Sequence, residues 1–149
     1  MKIAYSKMKN EDRCSLVDEI IAVKKGIFLF DGLSGSGKSM LLNAILAKSE
    51  NTKRFSDESF TENLLAELWQ ANHTDKGIAN IADSLKSFSV IGIEDIDFQS
   101  GKPVTLECIA NVINVLAEET LIIITGIDIK ERALTLTEKL QNPQFLYFE

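Results

Sequence analysis

The residues of this chain best suited to chemistry are Gly32-Leu33-Ser34-Gly35-Ser36-Gly37-Lys38-Ser39, a full match to G-x-x-x-x-G-K-[ST]. Gly32, Gly35 and Gly37 permit backbone conformations that side chains would block, so successive N–H groups can converge on an anion. Lys38 would reach the terminal phosphates of a nucleoside triphosphate, and the Ser39 hydroxyl would ligate magnesium. Met40 opens the helix whose positive end faces the same anion. Together these residues imply a nucleoside triphosphate and Mg2+ as ligands. A second candidate is the acidic pair Glu94-Asp95, which follows the apolar run Val90-Ile91-Gly92-Ile93 in a Walker B pattern. Glu94 would hold magnesium, directly or through water, and Asp95 would orient or deprotonate an attacking water. The third is Thr125-Gly126-Ile127-Asp128, where Thr125 or Asp128 could sense the terminal phosphate. A plain strand-terminating turn is the alternative reading there.

Such groups act together only if strands and helices bring them to one place. Gly26–Phe30 reads as the buried strand before the loop, and Met40–Leu46 lies in a helix running to about Lys48. Upstream, residues 10–25 read as an amphipathic helix with Leu16, Ile20 and Val23 on one face and a stop at Lys24-Lys25-Gly26. Downstream, a short strand is expected near Thr52–Phe55. A helix marked by Phe60, Leu64 and Leu68 follows, with Ser59 and Glu62 at capping-box spacing, and then another helix over Gly77–Phe88. The runs Ser89–Ile93, Leu121–Ile124 and Phe145–Phe148 read as buried strands, and Pro103–Glu118 as the helix between the first two. Apolar strands alternating with helices predict an α/β fold, a parallel sheet covered on both faces, with ligands collecting beyond the C-terminal strand ends. Trp69 is expected to pack in that structure and His73 to be solvated.

At 149 residues the chain is expected to be one domain. Its apolar share of 45% and charged share of 26% are ordinary for a soluble globular protein. No apolar run approaches a membrane span and the N-terminus has no signal-peptide core, so a cytoplasmic location is expected. Cys14 and Cys108 share no metal-ligand spacing and are expected to be buried small residues. The net charge of −6, with only three arginines, disfavours independent binding to duplex DNA, which needs a basic stripe.

Ser89–Lys102, with its two acids followed by Ile96, Asp97, Phe98 and then Gly101-Lys102, resembles the Walker B segment of the DnaA family of AAA+ replication initiators. Ser56–Leu65 is similar to that family's segment after its second strand. Leu121–Thr125, Asp128 and Leu136–Leu140 parallel its sensor-1 strand and the helix beyond. The similarity covers roughly residues 15–149. It implies a three-layer P-loop NTPase with a five-stranded parallel sheet in the order 5-1-4-3-2. It also implies that the helices Ser59–Asn72 and Gly77–Phe88 match the family's initiator-specific pair.

There are departures. Glu94 stands where the family has Asp. Asp128 follows its strand less closely than the family's sensor Asp does, leaving Thr125 and Asp128 as rivals. Gln141-Asn142-Pro143-Gln144 occupies the arginine-finger region without an arginine. The family's lid and duplex-DNA domain find no counterpart in residues 1–149, and its adenine-enclosing segment has no match in Lys2–Asn10. The expected function is therefore an ATP-binding, DnaA-like module, a nucleotide-dependent adaptor or regulator in DNA replication with weak or no hydrolysis alone. Its expected partner is a replication initiator or another AAA+ protein. A P-loop small-molecule kinase and a non-catalytic scaffold are the competing readings. A GTPase is disfavoured because no Asn-Lys-x-Asp motif occurs.

Overall fold

The computed structural model describes residues 2–70, 75–96 and 103–149. His73 and residues 97–102 of the Walker B-like segment lie outside them, as does the Trp69 side chain. The strands are β1 (Lys2–Ile3), β2 (Gly26–Gly32), β3 (Thr52–Ser56), β4 (Val90–Glu94), β5 (Leu121–Gly126) and β6 (Gln144–Phe148). The helices are α1 (Asn10–Val23), α2 (Lys38–Lys48), α3 (Asp57–Gln70), α4 (Asp75–Leu85), α5 (Pro103–Leu116), α6 (Ile129–Arg132) and α7 (Leu134–Lys139), with a 3-10 turn at Tyr5–Lys7.

All strand pairs are parallel, as the buried apolar runs predict. The strand count is not as predicted, and the order differs by an added edge strand. Among the described residues the sheet has six strands in the order β1-β6-β2-β5-β4-β3, not five in the order 5-1-4-3-2. The addition is β1, whose Lys2 and Ile3 pair with Tyr147 and Phe148 at the outer side of β6. A two-residue strand is too short to carry a hydrophobic period, so only the pairing partner reveals it.

Side chains of each central strand alternate between two apolar layers. Ile27, Leu29, Ile122 and Ile124 face the layer covered by α3 to α7, whereas Phe28, Phe30, Leu121 and Ile123 face the layer covered by α1 and α2. Gly92 on β4 allows α2 to come close, since a Cβ there would stand 3.1 Å from Leu42 Cδ1. The helix of the glycine loop is thereby pressed against the strand that carries the acidic pair.

Three local expectations need correction. The cap of α3 lies one turn earlier than Ser59-Glu62. Ser56 and Ser59 form the reciprocal pair, each backbone N–H donating to the other's hydroxyl at 3.1 Å. On α1 the buried residues are Leu16, Val17 and Ile20, while Val23 is exposed beside Lys24, which ends the helix in a left-handed conformation. Cys14 is exposed and Cys108 half-buried, because both sit off the buried stripes of their helices. Among the described residues, no helix is long and apolar enough to cross a membrane.

Candidate functional site

β2 carries the chain to Gly32, and the loop then turns into α2 through Gly37, whose φ of 104° is left-handed. Ser36 closes the turn internally. Its N–H and its hydroxyl both donate to Leu33 O, at 3.1 and 2.6 Å. The loop frames a cleft of about 180 Å³. Of the residues expected to bind the cofactor, Leu33, Ser34, Gly35, Gly37, Lys38, Ser39 and Met40 line this cleft, joined by Asp95 and Ile127. Gly32 and Ser36 instead form its supporting layer, Gly32 lying against Phe148.

Lys38 is only 7% exposed. Its ammonium donates to Gly32 O and, at 3.2 Å, to Leu33 O. Burial pulls this lysine below its ordinary range, and the carboxylates of Asp31 and Asp95 pull it back up.

Thr125 and Asp95 meet across β4 and β5. Thr125 is buried, its Oγ1 accepts the Asp95 N–H at 3.2 Å, and its carbonyl accepts the Ile96 N–H at 2.9 Å. These bonds hold Asp95 in a left-handed conformation, φ 57°, at the edge of the cleft. Asp128 is placed differently. It is exposed, has φ 51°, and heads α6, where its carbonyl accepts the N–H of Arg132 at 2.8 Å. Of the two rivals, Thr125 is thus the one joined to the acidic pair. Thr125→Val keeps the shape and removes the acceptor, so the Asp95 N–H loses its partner. A loss of about 1–3 kcal/mol in urea unfolding is expected.

Glu94 turns toward the β3 edge of the sheet. Its carboxylate lies 3.7 Å from Arg54 Nε, and the Arg54 guanidinium also donates to Asn43 Oδ1 on α2. Lys38, Ser39 and Asp95 therefore share the cleft, while Glu94 stands beside it with a basic partner. Sequence reasoning missed Arg54 and two further residues. Asp31, 8% exposed, accepts the Ile129 N–H at 3.2 Å. Tyr5 packs its ring against Gly37. The only sequence signal among these is the acid at Asp31, directly after the apolar run of β2. Tyr5 and Arg54 come from distant segments with no pattern to mark them.

The phosphate loop at a parallel strand end, with α2 rising from it and an acidic strand end beside it, defines a P-loop architecture. Comparison with solved structures narrows it. Domain III of the Thermotoga maritima replication initiation protein DnaA superimposes with a TM-score of 0.67 at 18% identity, over 94% of this chain and 62% of that one. AMPPCP-bound DnaA from Aquifex aeolicus gives 0.66 at 19%, over 95% of this chain and 48% of that one. DnaI gives 0.53 at 14%, over 93% and 86%. The fold is that of a DnaA-like AAA+ core. The chain spans less than two thirds of either DnaA chain. At the sequence level no family model and no curated protein matches it.

Proposed function

We propose that this chain is a single ATP-binding module that serves as a nucleotide-dependent adaptor or regulator in DNA replication. The observation that carries the reading is the convergence of a buried Lys38, Ser39 and Asp95 on one phosphate-loop cleft. Likeness to a DnaA whose structure holds AMPPCP supports the choice of an adenine nucleotide.

The residues fit such a ligand. Gly35 and Gly37 at positive φ and the start of α2 border the cleft, where backbone N–H groups would meet an anion, and Lys38 supplies a cation that two loop carbonyls already orient. Hard oxygen donors suited to magnesium stand at Ser39 and, once it turns from Arg54, at Glu94. Bound magnesium would neutralise phosphate charge. Asp95, steadied by Thr125, would orient a water, and Asp128 stays a candidate for reporting phosphate occupancy to α6. Turnover by the chain alone is slow in this reading. Arg54 holds Glu94, and the segment Gln141–Gln144 between α7 and β6 offers no arginine to the transition state, a contribution worth about a thousandfold or more.

The proposed partner is a replication initiator or another AAA+ protein, met in the cytoplasm. The net charge of −6 argues for contact through protein and against direct duplex binding. Calorimetric titration with ATP, ADP and GTP in magnesium tests the reading. Adenine nucleotides are expected to bind, and Lys38→Ala to weaken them about tenfold to a hundredfold, the worth of one charged hydrogen-bonding group. Absence of binding to any of the three overturns the reading. Phosphate transfer to a small acceptor would move the chain to the kinases.

A further inference from the structure

Arg54 is a cation joined to one proposed magnesium ligand and held one helical turn from the other. It stands on the edge strand β3, where its neighbour in register is Gly92, which presents no side chain over that part of the sheet. Its guanidinium donates to Asn43 Oδ1 on α2. Asn43 follows Ser39 by four residues, so the two lie on one face of that helix. Arg54 Nε also lies 3.7 Å from a carboxylate oxygen of Glu94, at the end of β4. One side chain therefore ties β3, β4 and α2 together beside the cleft.

A charge that serves only to keep an edge strand from pairing with other chains is best left in water. Arg54 is used otherwise. Its side chain is 40% exposed, and its donors are directed at Asn43 and Glu94. Glu94 is more sheltered, with 23% of its side chain exposed, so its carboxylate gains from a cation at hand. A magnesium ion would need the same carboxylate. Sharing it would bring a guanidinium and a divalent cation together, and their repulsion is strong where water screens poorly. Arg54 must leave Glu94 before Glu94 can hold a metal.

We infer that Arg54 is an internal competitor of magnesium for Glu94, and so makes nucleotide binding by this chain less dependent on the metal. The inference rests on the reading of the cleft as a nucleotide site and names what regulates its metal. Without metal, Arg54 offsets the charge of Glu94, which would otherwise repel an arriving triphosphate. With metal, part of the gain in binding is offset by the loss of the Arg54–Glu94 pair. Both effects narrow the difference that magnesium makes. Arg54 is a positioning residue here, because it acts on the metal through Glu94.

Calorimetric titration of the whole chain with ATP, once in excess magnesium and once in EDTA, gives the ratio of the two affinities. Arg54→Gln removes the charge and keeps an amide N–H for Asn43 Oδ1. The ratio is expected to rise about twofold to fivefold over that of the parent, the worth of a partly exposed ion pair. With Glu94→Gln in place, Arg54→Gln should raise it no further, because no carboxylate is left to compete for. A role confined to holding the strands together would lower the unfolding midpoint and leave the ratio where it was.

An unchanged or smaller ratio in Arg54→Gln, with ATP still bound, overturns the inference and leaves the nucleotide site standing. A rise just as large with Glu94→Gln in place overturns it too, since Arg54 would then repel the metal without Glu94. If the parent binds ATP in neither buffer, the site reading falls and the inference with it. Should Arg54→Gln not fold, Arg54→Met keeps the stem without the charge and carries the same comparison.

Discussion

Phe30→Ala is expected to cost about 3–5 kcal/mol of stability, a large part of what a domain of this size holds in reserve. Phe30 is fully buried in β2, in the layer that also contains Leu41, Leu42 and Ile45 of α2. Its ring lies 5.4 Å from that of Phe148, which in turn lies 6.2 Å from Tyr5. The void left by alanine would open between the sheet and α2, while the β2 backbone stays held by β5 and β6, which pair with Phe30 at Thr125 and Leu146. Strands fixed by ladders on both sides close a cavity poorly, which places the expected cost toward the upper end. Urea unfolding should show the midpoint falling at constant slope. Gly32 follows two residues later, so the loop would share the loosening, and saturating ATP should restore part of the loss, about 2.7 kcal/mol at a hundredfold excess over Kd. A cost below about 1 kcal/mol would show that the aromatic layer repacks and does not brace the loop.

What the sequence made legible were the features set by local pattern. The glycine loop opens α2 where its spacing requires, and the apolar runs Ser89–Ile93 and Leu121–Ile124 lie at the strands Val90–Glu94 and Leu121–Gly126 of one parallel sheet. Long-range pairing was not legible. β1 has two residues and is defined by Tyr147 and Phe148 at the other end of the chain. The partner of Glu94 is Arg54, a pairing that depends on Ser56 lying in register with Glu94. Asp95 next to Glu94 reads as one acidic pair in the sequence, yet the left-handed turn at Asp95 separates the two roles. One carboxylate faces the loop and the other the edge strand. Thr125 and Asp128 were rival candidates because both follow the apolar run Leu121–Ile124. The difference between them is burial beside Asp95 against exposure at the head of α6, a property of how β5 meets β4.

The site also depends on a contact from the far N-terminus, and Gly37→Ala exposes it. Gly37 has φ 104°, where an alanine is strained, and a Cβ would stand 2.8 Å from Tyr5 Cδ1 and 3.2 Å from Tyr5 Cβ. The ring has little freedom to retreat. Tyr5 is buried, the Arg13 guanidinium lies 4.8 Å from its ring centre, and Arg13 Nε holds its carbonyl at 3.0 Å. Strain and overpacking together are expected to cost about 2–4 kcal/mol. Gly35→Ala isolates the first of these, since Gly35 has φ 81° but nothing within 4 Å of its Cβ position, and about 1–2 kcal/mol is expected there. In the double variant Gly37→Ala with Tyr5→Ala the packing share should disappear, leaving a coupling of about 1 kcal/mol or more in a stability cycle. The same displacement moves the N–H of Lys38 and the start of α2. ATP affinity should therefore fall more than tenfold in Gly37→Ala, a loss of about 1.4 kcal/mol or more in binding. Equal costs at Gly35 and Gly37 with no coupling to Tyr5 would mean that backbone conformation alone shapes the loop. Coupling together with lost affinity would make Tyr5 part of the phosphate site's frame, through a residue 32 positions before the glycine it braces.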